Sequence, residues 1–400
     1  MLPLAIYVHW PFCLHKCPYC DFNSHVRDRV NHPEWKSAFL QELRYYREKT
    51  GARRVTSIFF GGGTPSLMMP DTVEGVINEI AKLWYVEEDV EITLEANPTS
   101  VEAEKLRDFK TAGVNRVSLG VQSLRDDALK KLGRQHSAAE AMAAARLAGD
   151  IFNRFSFDMI YARPEQSLDD WRQELNEALA AGVSHLSLYQ LTIEEGTQYH
   201  TLHKRGALIM PGETLTADMF ELTQEMTAKE NLIAYEVSNH AKPNEESRHN
   251  LIYWRYQDYA GIGPGAHGRL TFEGEKWATR AHKAPEIWLQ KVTQNHHGAH
   301  PFEKITSFQR GREMLLMGLR LTEGVSLDAF YKETQTDLSS FVGEGRLRPL
   351  VAAGFLQETS RHLVATPHGR QRLNAVLSRL LSQQGINDDS GIPQRSAQLS

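Results

Sequence analysis

Short apolar runs rich in β-branched and aromatic residues alternate with longer amphipathic stretches through the first half of the chain. The short runs predict β-strands, and the longer stretches, whose apolar residues recur at helical spacing, predict α-helices. The predicted strands cover residues 4–9, 57–60, 91–95, 116–122, 155–161 and 185–190. The predicted helices lie near residues 33–49, 71–84, 100–112, 125–148, 167–181 and 213–230.

This alternation also predicts the fold class, because strands that alternate with helices form parallel sheets with right-handed crossovers. Two helix-to-strand joints, at residues 112–119 and 181–188, are alike and place Gly113 and Gly182 where the helix ends. Six strand–helix units are too few to close an eight-stranded barrel. We therefore predict an α/β fold, an open six-stranded (β/α)6 partial TIM barrel, with functional residues just past the carboxyl ends of the strands.

The pattern changes at about Pro301, where helices replace the strand–helix alternation. Helical stretches cover 304–321, 327–332, 345–353 and 369–381, and a short extended pair covers 355–358 and 362–365. We predict a mainly helical, winged-helix-like domain over residues 301–382, preceded by the barrel domain with its carboxyl-terminal extension over residues 1–300. Residues 383–400, rich in Ser, Gln, Asp and Gly, are predicted to form a disordered tail.

Composition narrows the function classes. The chain has 400 residues, a formal net charge of −5 and a pI near 6.4, so it lacks the basic excess of a nucleic-acid-binding protein. It also lacks a run of about 18 apolar residues that could span a bilayer and a basic amino-terminal targeting segment. These features predict a cytoplasmic protein that reaches a membrane only peripherally, through partner proteins.

The only three cysteines, Cys13, Cys17 and Cys20, lie within eight residues of one another. The C-x3-C-x2-C spacing indicates an iron–sulfur cluster with one iron that no cysteine binds, because a cubane used only for electron transfer normally takes four cysteines. That iron is held by another side chain or by an exogenous ligand. Inert core cysteines, a disulfide, or zinc with His9 or His15 as a fourth ligand are the alternatives.

With Tyr19 before the third cysteine, the motif resembles the C-x3-C-x-aromatic-C signature of the radical S-adenosylmethionine (SAM) superfamily. The resemblance implies a [4Fe–4S] cluster on Cys13, Cys17 and Cys20, with SAM chelating the open iron. In such proteins the cofactors carry the hard chemistry, and the protein positions them and excludes water.

Residues at the ends of the predicted strands are candidate SAM ligands. Any one of them alone is a common strand-end residue. Polar groups at successive strand ends nevertheless converge on one open end of the barrel, which we call its mouth. Glycines at residues 61–63 let a ligand approach the backbone, and an arginine offers a bidentate partner to a carboxylate. By resemblance we assign SAM binding to Tyr7, Gly62, Gly63, Thr64, Glu95, Gln122, Arg134 and Asp158.

Several motifs resemble those of the oxygen-independent coproporphyrinogen III oxidase-like family, which contains a dehydrogenase and heme chaperones. They lie at residues 7–13, 61–65, 95–98, 120–122 and 261–267. The likeness covers most of residues 4–380. Two departures favour the chaperone branch: Phe22 stands where the dehydrogenase has a further cysteine, and only six residues precede Tyr7. A third departure, Ala-Arg-Pro at 162–164 instead of Gly-Leu-Pro, suggests Arg163 as an added cation near the mouth.

Residues 249–254, His-Asn-Leu-Ile-Tyr-Trp, resemble the heme-binding motif of that chaperone branch. A neutral imidazole can ligate heme iron, and aromatic rings can wall a porphyrin. With 17 histidines in the chain, one histidine alone is more often a surface or hydrogen-bonded residue. The whole string nevertheless favours heme, with His249 as the axial ligand and Tyr253 and Trp254 as pocket walls.

These features predict a heme chaperone that binds heme, a [4Fe–4S] cluster and SAM, and that delivers heme to acceptor proteins. The resemblance also implies an electron donor, of flavodoxin or bacterioferritin type, and no nucleic-acid partner. The sequence carries no signature for or against a homodimer. The alternatives are an oxygen-independent coproporphyrinogen III dehydrogenase, which decarboxylates propionates in porphyrin biosynthesis, and a cluster-free structural or zinc protein.

Overall fold

The computed structural model describes residues 1–27 and 29–382, so the predicted tail at 383–400 lies outside the described residues. The described chain divides into two compact units. The first comprises residues 1–234, 238–249 and 258–303, and the second comprises residues 235–237, 250–257 and the described residues from 304 onward. The domain boundaries drawn from the sequence at 300/301 and 382/383 stay predictions.

The first unit is built on the six predicted strands, which lie side by side in sequence order and are all parallel. They are Pro3–Trp10, Arg54–Gly62, Tyr85–Ala96, Arg116–Gln122, Arg154–Tyr161 and His185–Gln190. We number them as the first to sixth barrel strands. Their common direction places all six carboxyl ends at one edge of the sheet, as predicted.

The sheet extends further than the sequence indicated, to twelve strands within the described residues. Tyr259–Ile262 pairs in parallel with the first barrel strand. Asn239–Ala241 pairs antiparallel with the sixth. The remaining added strands are Ile233–Ala234, His267–Phe272, Glu275–Arg280 and Glu303–Lys304.

Helices follow the barrel strands where the amphipathic pattern predicted them, with breaks that the pattern did not reveal. The predicted helix 125–148 is two helices separated by residues 132–137, and the predicted helix 100–112 is also divided. The helices of the first unit are His32–Thr50, Pro70–Leu83, Ser100–Glu104, Leu106–Thr111, Asp126–Lys131, Ala138–Ile151, Leu168–Ala180, Gln198–Lys204, Glu213–Lys229 and Pro285–Asn295. A further helix, Arg248–Trp254, carries the candidate heme motif.

The side chains of the barrel strands alternate between an apolar and a polar face, as the period of two in a strand requires. Val117, Leu119 and Val121 belong to the main hydrophobic core, whereas Arg116 and Ser118, at alternate positions of the same strand, are buried and polar. The apolar face packs against the helices. The polar face lines the barrel interior, where the candidate site lies.

The second unit matches the winged-helix-like layout in its main features. The predicted hairpin is present as Leu356–Glu358 and His362–Ala365, and Val325–Ser326 adds a third antiparallel strand. Its helices are Ser307–Gly318, Leu327–Thr334, Leu338–Val342, Glu344–Ala352, Pro367–Gln371 and Leu373–Leu381. Among the described residues, no helix combines the length and apolar character needed to cross a bilayer.

Candidate functional site

The cysteine loop follows the first barrel strand. Two short parallel strands, Phe12–Cys13 and His25–Val26, close its base, and the Cys20 N–H donates to the Cys17 carbonyl at 3.1 Å. All three cysteines are free thiols, so no disulfide forms among them. The loop therefore leaves three unmodified sulfur ligands at the carboxyl edge of the sheet.

Each thiol has its own hydrogen-bonding partner. The Thr64 hydroxyl donates to Cys13 Sγ at 3.4 Å, and Arg134 Nη1 donates to Cys17 Sγ at 3.7 Å. The Ser24 hydroxyl lies 3.9 Å from Cys20 Sγ. Donors of this kind stabilise cluster-bound sulfur and adjust the reduction potential of the cluster. The donor set therefore fits the [4Fe–4S] cluster that the motif implies.

Burial affects the protonation of these thiols. It raises the pKa of Cys13, and it raises the pKa of Cys20 to about 11, while hydrogen bonds from nearby groups partly offset both shifts. Without metal the two thiols are therefore protonated at neutral pH. Cluster insertion must displace those protons, because only the thiolate binds iron.

The glycine segment after the second barrel strand lies against the cysteine loop. The Gly63 N–H donates to the Trp10 carbonyl at 2.7 Å, and the Gly62 N–H donates to Glu95 Oε2 at 3.2 Å. A Cβ at position 63 would lie 2.7 Å from the Phe12 carbonyl oxygen and 3.0 Å from Cys13 Sγ. Only glycine fits there. These N–H groups already donate to partners within the protein. The backbone carbonyl oxygens of the segment are therefore the groups that could accept from a ligand's ammonium group.

Tyr7 and His9, on the first barrel strand, form a fixed pair beneath the loop. His9 Nε2 lies 3.0 Å from the Asn23 carbonyl, which can only accept, so Nε2 carries the proton and Nδ1 accepts from the Tyr7 hydroxyl at 3.0 Å. Burial lowers the pKa of His9 to about 4. Both ring nitrogens are engaged, so His9 does not supply the fourth ligand that the zinc alternative needs.

Four predicted SAM residues come from the third to fifth barrel strands and the loop after the fourth. Glu95 meets Gly62, as described above, and Gln122 ends its strand with a positive φ of 64°, a strained conformation for a residue with a side chain. Arg134 Nη2 donates to Asn97 Oδ1 at 2.5 Å and to the Gly120 carbonyl at 3.0 Å. Asp158 lies deeper, where it accepts from the Ser118 hydroxyl at 3.0 Å, and burial raises its pKa to about 6.

Arg163 does not add a cation to the mouth, contrary to the expectation from the sequence. Its side chain is 8% exposed, and Nη2 pairs with the fully buried Glu174 at 2.5 Å. The carboxylate of Glu174 lies on the helix Leu168–Ala180 and draws the guanidinium away from the strand ends. Ala162, at the start of this loop, adopts a φ of 54°, a left-handed conformation that favours glycine.

The candidate heme ligand His249 lies inside the barrel and has no solvent exposure. Its Nδ1 lies 2.9 Å from the Ser57 hydroxyl, and its ring stacks on Phe59 at a centroid distance of 4.9 Å. The backbone N–H of His249 donates to Glu91 Oε1 at 3.0 Å. Burial, followed by the positive charge of Arg116, lowers the pKa of His249 to about 3, so the imidazole is neutral.

The two predicted walls of the heme pocket are also buried, Tyr253 at 3% and Trp254 at 2% exposure. In the second unit, Trp254 lines a cavity of about 230 Å³ together with Met314 and His362. That volume lies below the roughly 300–1,000 Å³ of small-molecule pockets. The structure thus places the three residues of the motif on one helix, and all three are buried.

Sequence reasoning missed several residues that hold the site together. Asn23 Nδ2 donates to the Pro264 carbonyl at 2.9 Å and to the Lys283 carbonyl at 3.0 Å, which ties the cysteine loop to the segment at 261–267. Asn97 links Arg134 to Thr64. Little in the sequence indicated these roles. Each asparagine closely follows a motif residue, but its hydrogen-bond partners lie far along the chain.

Comparisons with known proteins agree with this geometry. The family model of the radical SAM superfamily matches residues 7–178, and the HemN C-terminal domain model matches residues 305–372. The mitochondrial radical S-adenosyl methionine domain-containing protein 1 of Mus musculus is 38% identical over 95% of this chain and 87% of its own length. The heme chaperone HemW of Escherichia coli is 35% identical over 95% of this chain and 99% of its own length.

Among solved structures, the coproporphyrinogen III oxidase HemN of Escherichia coli, described as a radical SAM enzyme, superimposes with a TM-score of 0.78 at 19% identity. The match covers 95% of this chain and 90% of HemN. At that identity the likeness shows the fold alone. The near full-length identity to the curated relatives goes further, and the chain belongs to the radical SAM family that includes the heme chaperone HemW.

Proposed function

We propose that this chain is a heme carrier, a radical SAM protein that binds heme in addition to a [4Fe–4S] cluster with SAM, and that delivers the heme to acceptor proteins. One observation carries the proposal. Heme chaperones named HemW are 31–35% identical to this chain over 95–96% of its residues, and the matches cover 98–99% of their own length. The structural likeness to the coproporphyrinogen enzyme is more distant, and therefore supports only a common fold.

The mouth of the barrel is the proposed cluster and SAM site. Cys13, Cys17 and Cys20 would hold three irons, and their hydrogen-bond donors support that assignment. When bound, the cluster and SAM supply redox chemistry. The chain's contribution is to hold the SAM amino and carboxylate groups and the ribose with Tyr7, Gly62, Gly63, Thr64, Glu95, Gln122, Arg134 and Asp158.

His249 is the proposed axial heme ligand. If Nδ1 donates its proton to the Ser57 hydroxyl, Nε2 keeps the lone pair that iron requires, and the low pKa keeps the ring neutral. Because His249, Tyr253 and Trp254 are buried, heme binding requires residues 248–254 to move. We infer that Tyr253 and Trp254 then contact the porphyrin faces or edges.

The partners follow from this role. A carrier needs heme-acceptor proteins, and a cluster that changes oxidation state needs an electron donor, of flavodoxin or bacterioferritin type. We place the protein in the cytoplasm, and at membranes only through its acceptors. The formal net charge of −5 is consistent with the absence of a nucleic-acid partner.

An anaerobic comparison of two activities tests the proposal. The cluster-loaded protein is incubated with hemin and then with apomyoglobin, and the appearance of holomyoglobin is followed by absorbance. In parallel, the same protein is given coproporphyrinogen III, SAM and a reductant, and decarboxylated products are measured. A carrier transfers heme and leaves coproporphyrinogen unchanged.

Repeated turnover of coproporphyrinogen together with no retention of hemin would favour the dehydrogenase instead. Binding of zinc but not of iron and sulfide would favour the cluster-free alternative. His203→Ala is a suitable control for histidine substitutions because that side chain is exposed.

A further inference from the structure

Arg116, the first residue of the fourth barrel strand, is a buried cation that forms no direct ion pair within the described residues. The residue is 3% exposed, and among residues 1–27 and 29–382 its guanidinium makes no direct ion pair, although its charge acts on Asp158. An unpaired buried charge costs several kcal/mol. Native proteins keep such a group where something else compensates it.

The guanidinium faces the barrel interior. Ser118, two residues along the same strand, points into the interior and donates to Asp158, and side chains two residues apart share one face of a strand. Arg116 is in register with Arg154 on the fifth strand. Arg154, in contrast, is neutralised by Glu91 at 2.8 Å and by Glu245 at 3.1 Å.

A polar group beside Arg116 lacks a hydrogen-bond partner within the described residues. Thr93, on the third strand, is in direct register with Arg116, has no solvent exposure, and its hydroxyl makes no hydrogen bond within the described residues. Neighbouring strands lie about 4.8 Å apart. A guanidinium and a hydroxyl at that spacing are two donors that one carboxylate group could accept from together.

Two carboxylates of this region already have other hydrogen-bond donors. Asp158 is held by Ser118, and Glu91 is used by Arg154 and by the N–H groups of Arg248 and His249. The positive charge of Arg116 nevertheless acts on both His249 and Asp158. Arg154, which is in register with Arg116, shares Glu91 with the backbone N–H of His249, so Arg116 lies near the proposed heme ligand.

We propose that Arg116 and Thr93 form a binding site for a carboxylate of the ligand carried at His249, namely a propionate of the porphyrin. The inference rests on the proposed heme-carrying function and names the part of the ligand that the barrel interior recognises. Heme bears two propionates, and one of them would supply the negative charge that Arg116 lacks.

The test compares hemin with hemin dimethyl ester, whose propionates carry no charge. Both are titrated into the wild-type protein, Arg116→Gln, Thr93→Val and the exposed control Arg107→Gln. We expect the wild type and the control to bind hemin roughly 10- to 100-fold more tightly than the ester, as a charge-assisted hydrogen bond would give. Arg116→Gln should abolish that preference, and Thr93→Val should reduce it severalfold.

The ligand-free protein gives an independent readout. Removal of an unpaired buried charge should raise the melting temperature of Arg116→Gln while its affinity for hemin falls, which a purely structural arginine would not do. Equal binding of hemin and its ester by the wild type, with the Soret band still dependent on His249, would overturn this inference alone. Absence of any His249-dependent hemin binding would instead overturn the proposed function.

Discussion

The mouth of the barrel and the interior around His249 present their candidate ligands in opposite ways. At the mouth, Cys17 and Cys20 are only partly buried, and glycines clear the space beside Cys13. Around His249, every side chain named above is packed, and the imidazole has no exposure. The difference teaches that two of the cluster ligands are already accessible, whereas the heme ligand must be uncovered.

The largest effect is expected at the mouth. Cys17→Ser removes one of three iron ligands that nothing else in the chain can replace, because the sequence has no further cysteine. Iron and sulfide content after anaerobic reconstitution should fall to near background. Hemin binding should persist, since His249 lies on a different element. Loss of both cofactors together would show that the two regions are not separable.

Gly63→Ala should have the next largest effect on the cluster. The added Cβ would meet the Phe12 carbonyl oxygen at 2.7 Å and Cys13 Sγ at 3.0 Å, and overpacking of this kind costs about 1–3 kcal/mol. We expect less than half of the wild-type iron content and a lower melting temperature. The matched control is Gly345→Ala, where a Cβ meets nothing within 4 Å. Equal iron content in the two variants would contradict the close packing of Gly63 against the cysteine loop.

A smaller effect is expected from Ser57→Ala in the interior. The substitution removes the hydroxyl that lies 2.9 Å from His249 Nδ1 and orients the imidazole ring. A hydrogen bond of this kind contributes about 1 kcal/mol. Hemin affinity, measured by Soret titration, should fall about fivefold with no change in iron–sulfur content. Ser340→Ala, at an exposed position, serves as the control. Wild-type affinity in Ser57→Ala would mean that His249 is not the ligand or is not oriented by Ser57.

The smallest effect is a pH dependence of stability at Asp158. Its pKa is about 6 in the folded protein and about 3.9 when unfolded, so the folded state binds more protons between these values. The contribution of Asp158 to the free energy of unfolding is therefore fully present below pH 4 and is lost as the pH rises through 6. Asp158→Asn should flatten the fall of the melting temperature over that range. An unchanged slope would place the titration on another group.

The sequence predicted those parts of the molecule that local pattern determines. The six barrel strands, the helices between them and the second-unit hairpin follow from hydrophobic periodicity, and the three cysteines follow from their spacing. The added strand Tyr259–Ile262 was missed because its partner lies some 250 residues earlier, and pairing over such a distance leaves no local signal.

Side-chain partners were the least predictable feature. Arg163 was expected at the mouth, but the nearby carboxylate of Glu174 holds it elsewhere. Ser57 and Glu91 were read only as strand residues, although they contact His249, more than 150 residues away. Polar residues spaced by two in otherwise buried strands, such as Arg116 and Ser118, were the signal that could have indicated a polar barrel interior.

The most direct test of the central claim is the Soret titration of cluster-loaded protein with hemin, with iron–sulfur content measured in the same samples of wild type, His249→Ala and the control His203→Ala. We predict that His249→Ala weakens hemin binding by at least about tenfold and keeps its cluster, while His203→Ala behaves as the wild type. Hemin spectra and affinity unchanged in His249→Ala would contradict the account.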